Sequence, residues 1–153
     1  MEIFRISKTK YINDLTGYGA KQYGGRWNRP GLAALYTSEA RSLAMLELFV
    51  HFASKEAFKQ DYSFISLNLN SQFLVNMDSK LLPKNALEIN DNRLWKITEH
   101  YFLNENVLAL RVPSILIQKE YNIIINPMHE KINELVVNNV EKVNFDERFK
   151  NIL

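Results

Sequence analysis

Apolar positions along the chain fall into short runs whose periods predict its elements. Alternation in EIFRI (2–6) predicts a first strand, and LAALYTS (32–38) a second. Thr37 or Ser38 then stands where a hydroxyl can cap a helix that starts near Glu39 and runs to about Ser54. YSFISLNL (62–69) alternates as a strand should, and FLVNM (73–77) is a further short apolar run. RLWKITEHYFLNEN (93–106) has helical spacing through Leu94, Ile97, Tyr101 and Phe102. VLALRVPSILI (107–117) is β-rich, with Pro113 requiring an edge position or a bulge in its middle. YNIIINP (121–127) predicts a strand stopped by Pro127, HEKINELVVNN (129–139) an amphipathic helix, and VEKVNF (140–145) a last strand. Between these runs, DLTGYGAKQYGGRWNRPG (14–31) gathers Gly17, Gly19, Gly24 and Gly25, closed by Gly31, and predicts a long, special loop. PKNALEINDN (83–92) predicts a second loop. Strands outnumber helices and do not alternate strictly with them. The expected class is α+β, a single domain over 1–153 with a mixed or antiparallel sheet core and flanking helices.

One position breaks the pattern. SLAMLELFVHFA (42–53) is nearly all apolar, with Glu47 and His51 set inside it. On a helix, Glu47 shares a stripe with Ala40, Leu43, Ala44 and Val50, a face that would meet a core. Glutamate is almost never fully buried unless it is paired, so this carboxylate calls for a partner or a task.

Composition narrows the tasks. With 153 residues, 46% of them hydrophobic and 24% charged, the chain can build one genuine core. It has no cysteine, which excludes disulfides, thiolate nucleophiles and zinc–thiolate clusters. No stretch approaches the ~18 apolar residues of a membrane span, and MEIFRISKTK has no signal-like apolar region, so the expected location is cytoplasmic. A net charge of +2 lacks the cationic footprint of a nucleic-acid binder, yet leaves room for a negatively charged small ligand.

Three stretches carry candidate chemistry: GGRWN (24–28), YTSEARSLAMLE (36–47) and RVPS (111–114). The glycine pair is either a plain turn or a place where a ligand approaches backbone closely. Arg26 offers a planar fork of donors for phosphate or carboxylate, or an ion pair to an acid such as Glu47. No G-x-x-x-x-G-K-[ST] loop exists, and the G-x-G at 17–19 lacks a third glycine in register. Tyr36 reads as a core aromatic or as a ring that stacks on a planar base. Glu47 reads as half of a salt bridge to Arg26 or Arg111, or as a carboxylate that stabilises developing positive charge or acts as a base. His51 stands one turn further on, within reach of it. Ser114 has no G-x-S-x-G elbow and suits hydrogen bonding better than acyl transfer. His51, His100 and His129 lack metal-ligand spacing, so no metal is assigned.

Taken in order, GGRWN, YTSEARSLAMLE, RVPS and NPMH resemble the RES domain, toxin of RES–Xre toxin–antitoxin pairs. The resemblance runs from FRIS through LTGYGAKQYGGRWN to VNFDERF, and departs where the family often has proline after its NP.H motif and this chain has Glu130. It implies a fold related to diphtheria-toxin-like ADP-ribosyltransferases and chemistry on NAD⁺ as substrate. The expected activity is that of an NAD⁺ glycohydrolase or phosphorylase, or of an ADP-ribosyltransferase, with ADP-ribose passed to water, phosphate or a protein. Carried over by position, Glu47 and Arg26 are the catalytic residues, while Arg26, Tyr36 and Ser114 hold the dinucleotide, with His51 and Tyr23 as second-rank candidates for the same pocket. The resemblance also implies an Xre-family antitoxin as partner, self-association within that complex, and no direct nucleic-acid or membrane partner. Two other functions stand beside it: an RNA-cleaving toxin using Arg26, Tyr36 and a histidine, and a non-enzymatic binding module in which Arg26 and Glu47 form a structural ion pair.

Overall fold

A computed structural model describes residues 1–85 and 92–151, with the Lys150 side chain left aside. In it, the alternating runs become seven strands: β1 (Glu2–Lys8), β2 (Leu35–Ser38), β3 (Tyr62–Asn68), β4 (Leu74–Asn76), β5 (Ala109–Pro113), β6 (Tyr121–Ile125) and β7 (Val136–Lys142). They form one mixed sheet in the order β4-β5-β6-β2-β1-β3-β7, in which β4 and β5 are parallel and the other neighbours antiparallel. The α+β expectation holds. Three short helices flank the sheet: α1 (Tyr18–Tyr23), α2 (Arg41–Phe49) and α3 (Arg93–Glu99).

Strand periodicity sends alternate side chains to opposite faces. On one face Ile3, Leu35, Ile65, Leu67, Ile123 and Ile125 build one core cluster; on the other Leu110, Val112 and Ile124 pack with Trp27, Leu94, Ile97, Tyr101 and Phe102. A third cluster joins the end of α2 to the C-terminal segment. There Phe49 lies 5.0 Å from Phe149 and 5.7 Å from Phe145, ring centre to ring centre, with Phe52, Phe58 and Tyr62 completing the group.

The middle of the sheet matters most for the site. β1 and β2 pair only at Phe4 and Ser38. Beyond that point the strands part, and Arg5 and Ile6 on one side and Tyr36 and Thr37 on the other become walls of a cleft.

Several elements differ from the sequence expectation. The glycine-rich segment 14–31 contains α1, which Gly24 ends when its N–H bonds the Ala20 carbonyl. The helix expected over Glu39–Ser54 is α2 alone, and no side chain caps it, because its N-cap residue is Ala40; Thr37 and Ser38 stay in β2, their hydroxyls bound to the Ile123 carbonyl and the Asn122 side chain. The helix expected over 93–106 is α3 continued by a π-helical turn, His100–Asn104. Pro113 ends β5 past the last β4 pairing, so no bulge is needed for its missing N–H. The amphipathic helix expected over 129–139 is instead a short turn (Ile132–Glu134) followed by β7. Val136, Val137 and the two asparagines are poor helix formers, and pairing with β3 overrides their apparent helical period. Of the expected loop 83–92, residues 86–91 lie outside the described residues.

Candidate functional site

Asn28, fully buried, organises the GGRWN turn. Its Nδ2 donates to the carbonyls of Ala20 and Leu32, both at 2.8 Å, and its own carbonyl accepts from Gly25 N at 2.8 Å. Its Oδ1 accepts from the Tyr36 hydroxyl at 2.7 Å, and that hydroxyl accepts in turn from the Trp27 N–H at 2.9 Å. From α3, the Trp95 indole N–H donates to the Gly25 carbonyl at 2.8 Å. Gly25 is required here: a Cβ would lie 2.5 Å from the Tyr36 hydroxyl oxygen. The turn is thus held from three sides, and it carries Arg26 at the cleft wall.

Tyr36, the second residue of β2, is half-buried beside both charges of the site. Burial, the dominant effect, pushes its phenol well above the ordinary tyrosine range; Glu47 adds to that, while the hydrogen bonds and Arg26 oppose it. The hydroxyl is therefore neutral and engaged, which fixes the ring as part of the wall.

Glu47 is half-buried on α2 and lines the same cleft as Arg26 and Tyr36. Its Oε1 accepts from Asn122 Nδ2 at 2.6 Å, and Asn122 Oδ1 accepts from the Ser38 hydroxyl at 2.6 Å. The salt bridge to Arg111 considered from sequence does not form. Arg111 grips Glu39 with two hydrogen bonds, 2.6 and 3.0 Å, and its guanidinium lies 3.4 Å from the Tyr121 ring centre. That pairing raises the Arg111 pKa and makes it a structural clamp between β5 and the entry to α2.

The remaining sequence candidates divide. His51 is exposed and lines the cleft, as does Tyr23, which is 79% exposed. Ser114 does not line it. Its hydroxyl accepts from the Leu116 and Ile117 N–H groups at 3.0 and 3.2 Å, shaping the loop whose Ile115 and Leu116 do. Sequence reasoning missed Asn28, Asn122, Ser38 and Arg5. Arg5 lines the cleft from β1, its Nη1 donating to the Ile12 carbonyl at 3.1 Å, and burial lowers its pKa. Its signal was the one cation inside the alternating EIFRI; Asn28 stood inside GGRWN with no role assigned to it, and Asn122 and Ser38 gave no signal, because their partners are distant in sequence.

The cleft encloses about 1000 Å³, at the upper end of small-molecule sites. It combines apolar walls (Leu48, Val50, Ile115, Leu116, Trp27, Trp95) with one carboxylate and two guanidinium groups. Such a hollow suits a ligand with planar rings, anionic groups and a centre at which positive charge develops. Among the described residues no group of three or more His, Cys, Asp or Glu is placed to hold a metal ion, and no helix is long and apolar enough to cross a membrane.

The family model described as RES domain matches residues 2–146. The chain belongs to the RES domain family. Among RES relatives, a protein named Toxin Res from Photorhabdus laumondii is 30% identical over 147 residues, covering 95% of this chain and 93% of the relative. Another Toxin Res, from Yersinia enterocolitica, is 30% identical over 98% of this chain and 100% of its own length. A Sphingobium protein named Prs ADP-ribosylating toxin is 29% identical, covering 93% of this chain and 90% of the relative. The crystal structure of the M. tuberculosis MbcT–MbcA toxin–antitoxin complex contains a chain with the same fold: TM-score 0.72 over 94% of this RES chain and 84% of that one, at 15% identity.

Proposed function

We propose that this protein is the toxin of a toxin–antitoxin pair, and that it consumes NAD⁺ by breaking the bond between nicotinamide and ribose. The observation that carries the reading is Glu47: a carboxylate in an apolar cleft, held by an amide rather than neutralised by Arg111. Breaking an N-glycosidic bond builds positive charge on the ribose ring, as in glycoside hydrolysis. A fixed carboxylate facing that charge stabilises it more strongly than it stabilises the ground state, and the effect grows as walls such as Leu48 and Leu116 exclude water. Glu47 is the catalytic group in this reading. Arg26 grips the pyrophosphate, where a planar fork of donors is suited to anionic oxygens. Tyr36, with its hydroxyl already engaged, offers its ring to the nicotinamide. Ser114 contributes through the loop it shapes. Leaving nicotinamide is neutral, so departure needs no metal and no general acid strong enough to protonate it.

The family and the name of the Sphingobium relative support ADP-ribosyl chemistry, and the names of the other relatives support the role of toxin. The toxin–antitoxin complex found for the structural neighbour supports an antitoxin partner, which we take to be of the Xre family, with self-association of the toxin inside the complex and residence in the cytoplasm. The test is mass spectrometry of NAD⁺ incubated with the purified protein in water, with added phosphate, and with a protein extract. Nicotinamide release is expected, and the second product names the acceptor: free ADP-ribose, its phosphorylated form, or a mass shift on a protein. NAD⁺ left intact under all three conditions overturns the reading.

A further inference from the structure

Three polar side chains in the cleft wall are joined end to end. Ser38 on β2 and Asn122 on β6 are direct cross-strand partners, so their side chains leave the sheet on the same face. Ser38 is 3% exposed. Its hydroxyl lies 2.6 Å from Asn122 Oδ1, and Asn122 Nδ2 lies 2.6 Å from Glu47 Oε1. Chemistry fixes the direction of this chain. A carbonyl oxygen only accepts, so the serine donates; an amide NH₂ only donates, so the carboxylate accepts. Turning the amide over would set Oδ1 against Glu47 Oε1 at the same distance, two acceptors without a proton between them. The buried hydroxyl therefore orients the amide, and the amide engages one carboxylate oxygen, Oε1.

We propose that Asn122 is a positioning residue for the Glu47 carboxylate and that Ser38 acts through it. The proposal rests on the reading of the cleft as an NAD⁺-cleaving site and deepens it. A glutamate has three rotatable side-chain bonds, and on a helix of one wall it would otherwise sample several orientations. Anchoring Oε1 to Asn122, on a strand of the sheet, removes that freedom before the ligand arrives, which is what electrostatic stabilisation of a transition state requires. The arrangement acts on the bond-breaking step more than on binding, since the carboxylate matters most once charge has developed.

The experiment measures kcat and KM for nicotinamide release from NAD⁺, with a thermal melt for every protein, in the wild type, Asn122→Ala, Asn122→Asp, Ser38→Ala and the double variant Ser38→Ala/Asn122→Ala. Asn122→Ala is expected to lower kcat about 10- to 100-fold with KM changed less than about twofold, the scale of a misplaced catalytic group. Asn122→Asp keeps the shape and replaces the donor with an acceptor facing Glu47, so it falls at least as far; it and Ser38→Ala carry the test if Asn122→Ala does not fold. Ser38→Ala is expected to lose less, and the double variant no more than Asn122→Ala alone, because the serine has no second route to the carboxylate. Unchanged kcat in Asn122→Ala with a lowered melting temperature overturns the proposal in favour of a structural role. A raised KM with unchanged kcat overturns it in favour of direct substrate contact, and multiplicative losses in the double variant overturn the link through Ser38. A wild type without turnover removes the NAD⁺ reading and the relay together, whereas an active wild type with an indifferent Asn122→Ala removes the relay alone.

Discussion

Tyr36 shows how one side chain joins structure and site. Its hydroxyl closes the GGRWN turn by accepting from Trp27 and donating to Asn28, both at buried atoms. Tyr36→Phe leaves that N–H and that side-chain oxygen unpaired, and the expected loss is about 2 kcal/mol, measured by denaturant unfolding. The same residue sets a pH dependence. Burial holds its folded-state pKa above the value of the unfolded chain, so the stability it contributes is complete below the ordinary tyrosine pKa of 10.0 and is lost as pH rises beyond it. Unfolding midpoints compared at about pH 9 and about pH 11 should therefore fall more steeply for the wild type than for Tyr36→Phe; equal slopes would mean that the phenol is not protected. Gly25 depends on the same hydroxyl. Gly25→Ala drives a methyl into it and is expected to reduce nicotinamide release along with stability, read by the same assay and melt. Glu47 was legible as an anomaly, because an acid on an apolar helical stripe contradicts its own surroundings. Asn122 and Ser38 were not, since a polar residue in a strand reads as solvent-facing, and their contacts span 75 and 84 residues.

At the scale of elements, α2 is the part to watch. Nine residues long and without a side-chain cap, it has little helical stability of its own. Tertiary contacts hold it: Ala44 and Leu43 face the sheet, Arg41 pairs with Glu141 and lies over the Phe64 ring at 4.6 Å, and Phe49 enters the aromatic cluster. Glu47 stands between these anchors. Phe145→Ala opens the cluster beneath the C-terminal end of α2, with Phe145 itself half-buried. The expected outcome is a loss of about 2 kcal/mol in unfolding, with a several-fold lower kcat although no substrate contact has been removed. A stability loss with unchanged kcat would show that the cluster is only packing. The sequence made most strands visible because alternation reports directly on a two-faced sheet. It placed the last strand at 140–145 where β7 runs from Val136 to Lys142, because the first residues of β7 take their conformation from β3, and it concealed α1, which interrupts a segment dominated by glycine.

Across the whole molecule, the sheet supplies the site by failing to pair. Between β1 and β2 a single register pair holds the strands, and the space they leave is lined by residues from both, by α2, by the glycine turn and by the loop after β5. Trp95 of α3 and Asn122 of β6 line it too, so segments from both ends and the middle of the chain meet there, which is why spacing alone named residues but no reaction, and why the ordered motifs of the RES family were needed. Arg111, bound to Glu39, and Ser114, bound to its own loop, keep this frame in shape without lining the cleft as Glu47 does. The account stands on the claim that Glu47 is there for chemistry. Glu47→Gln preserves shape and the contact with Asn122 through its carbonyl oxygen, so nicotinamide release from NAD⁺ and the thermal melt should be measured on that variant beside the wild type. The account predicts a melting temperature close to wild type and a kcat lower by about 10²–10³-fold. Undiminished turnover, or a melt collapsed by the roughly 3–5 kcal/mol expected for a broken buried ion pair, would contradict it.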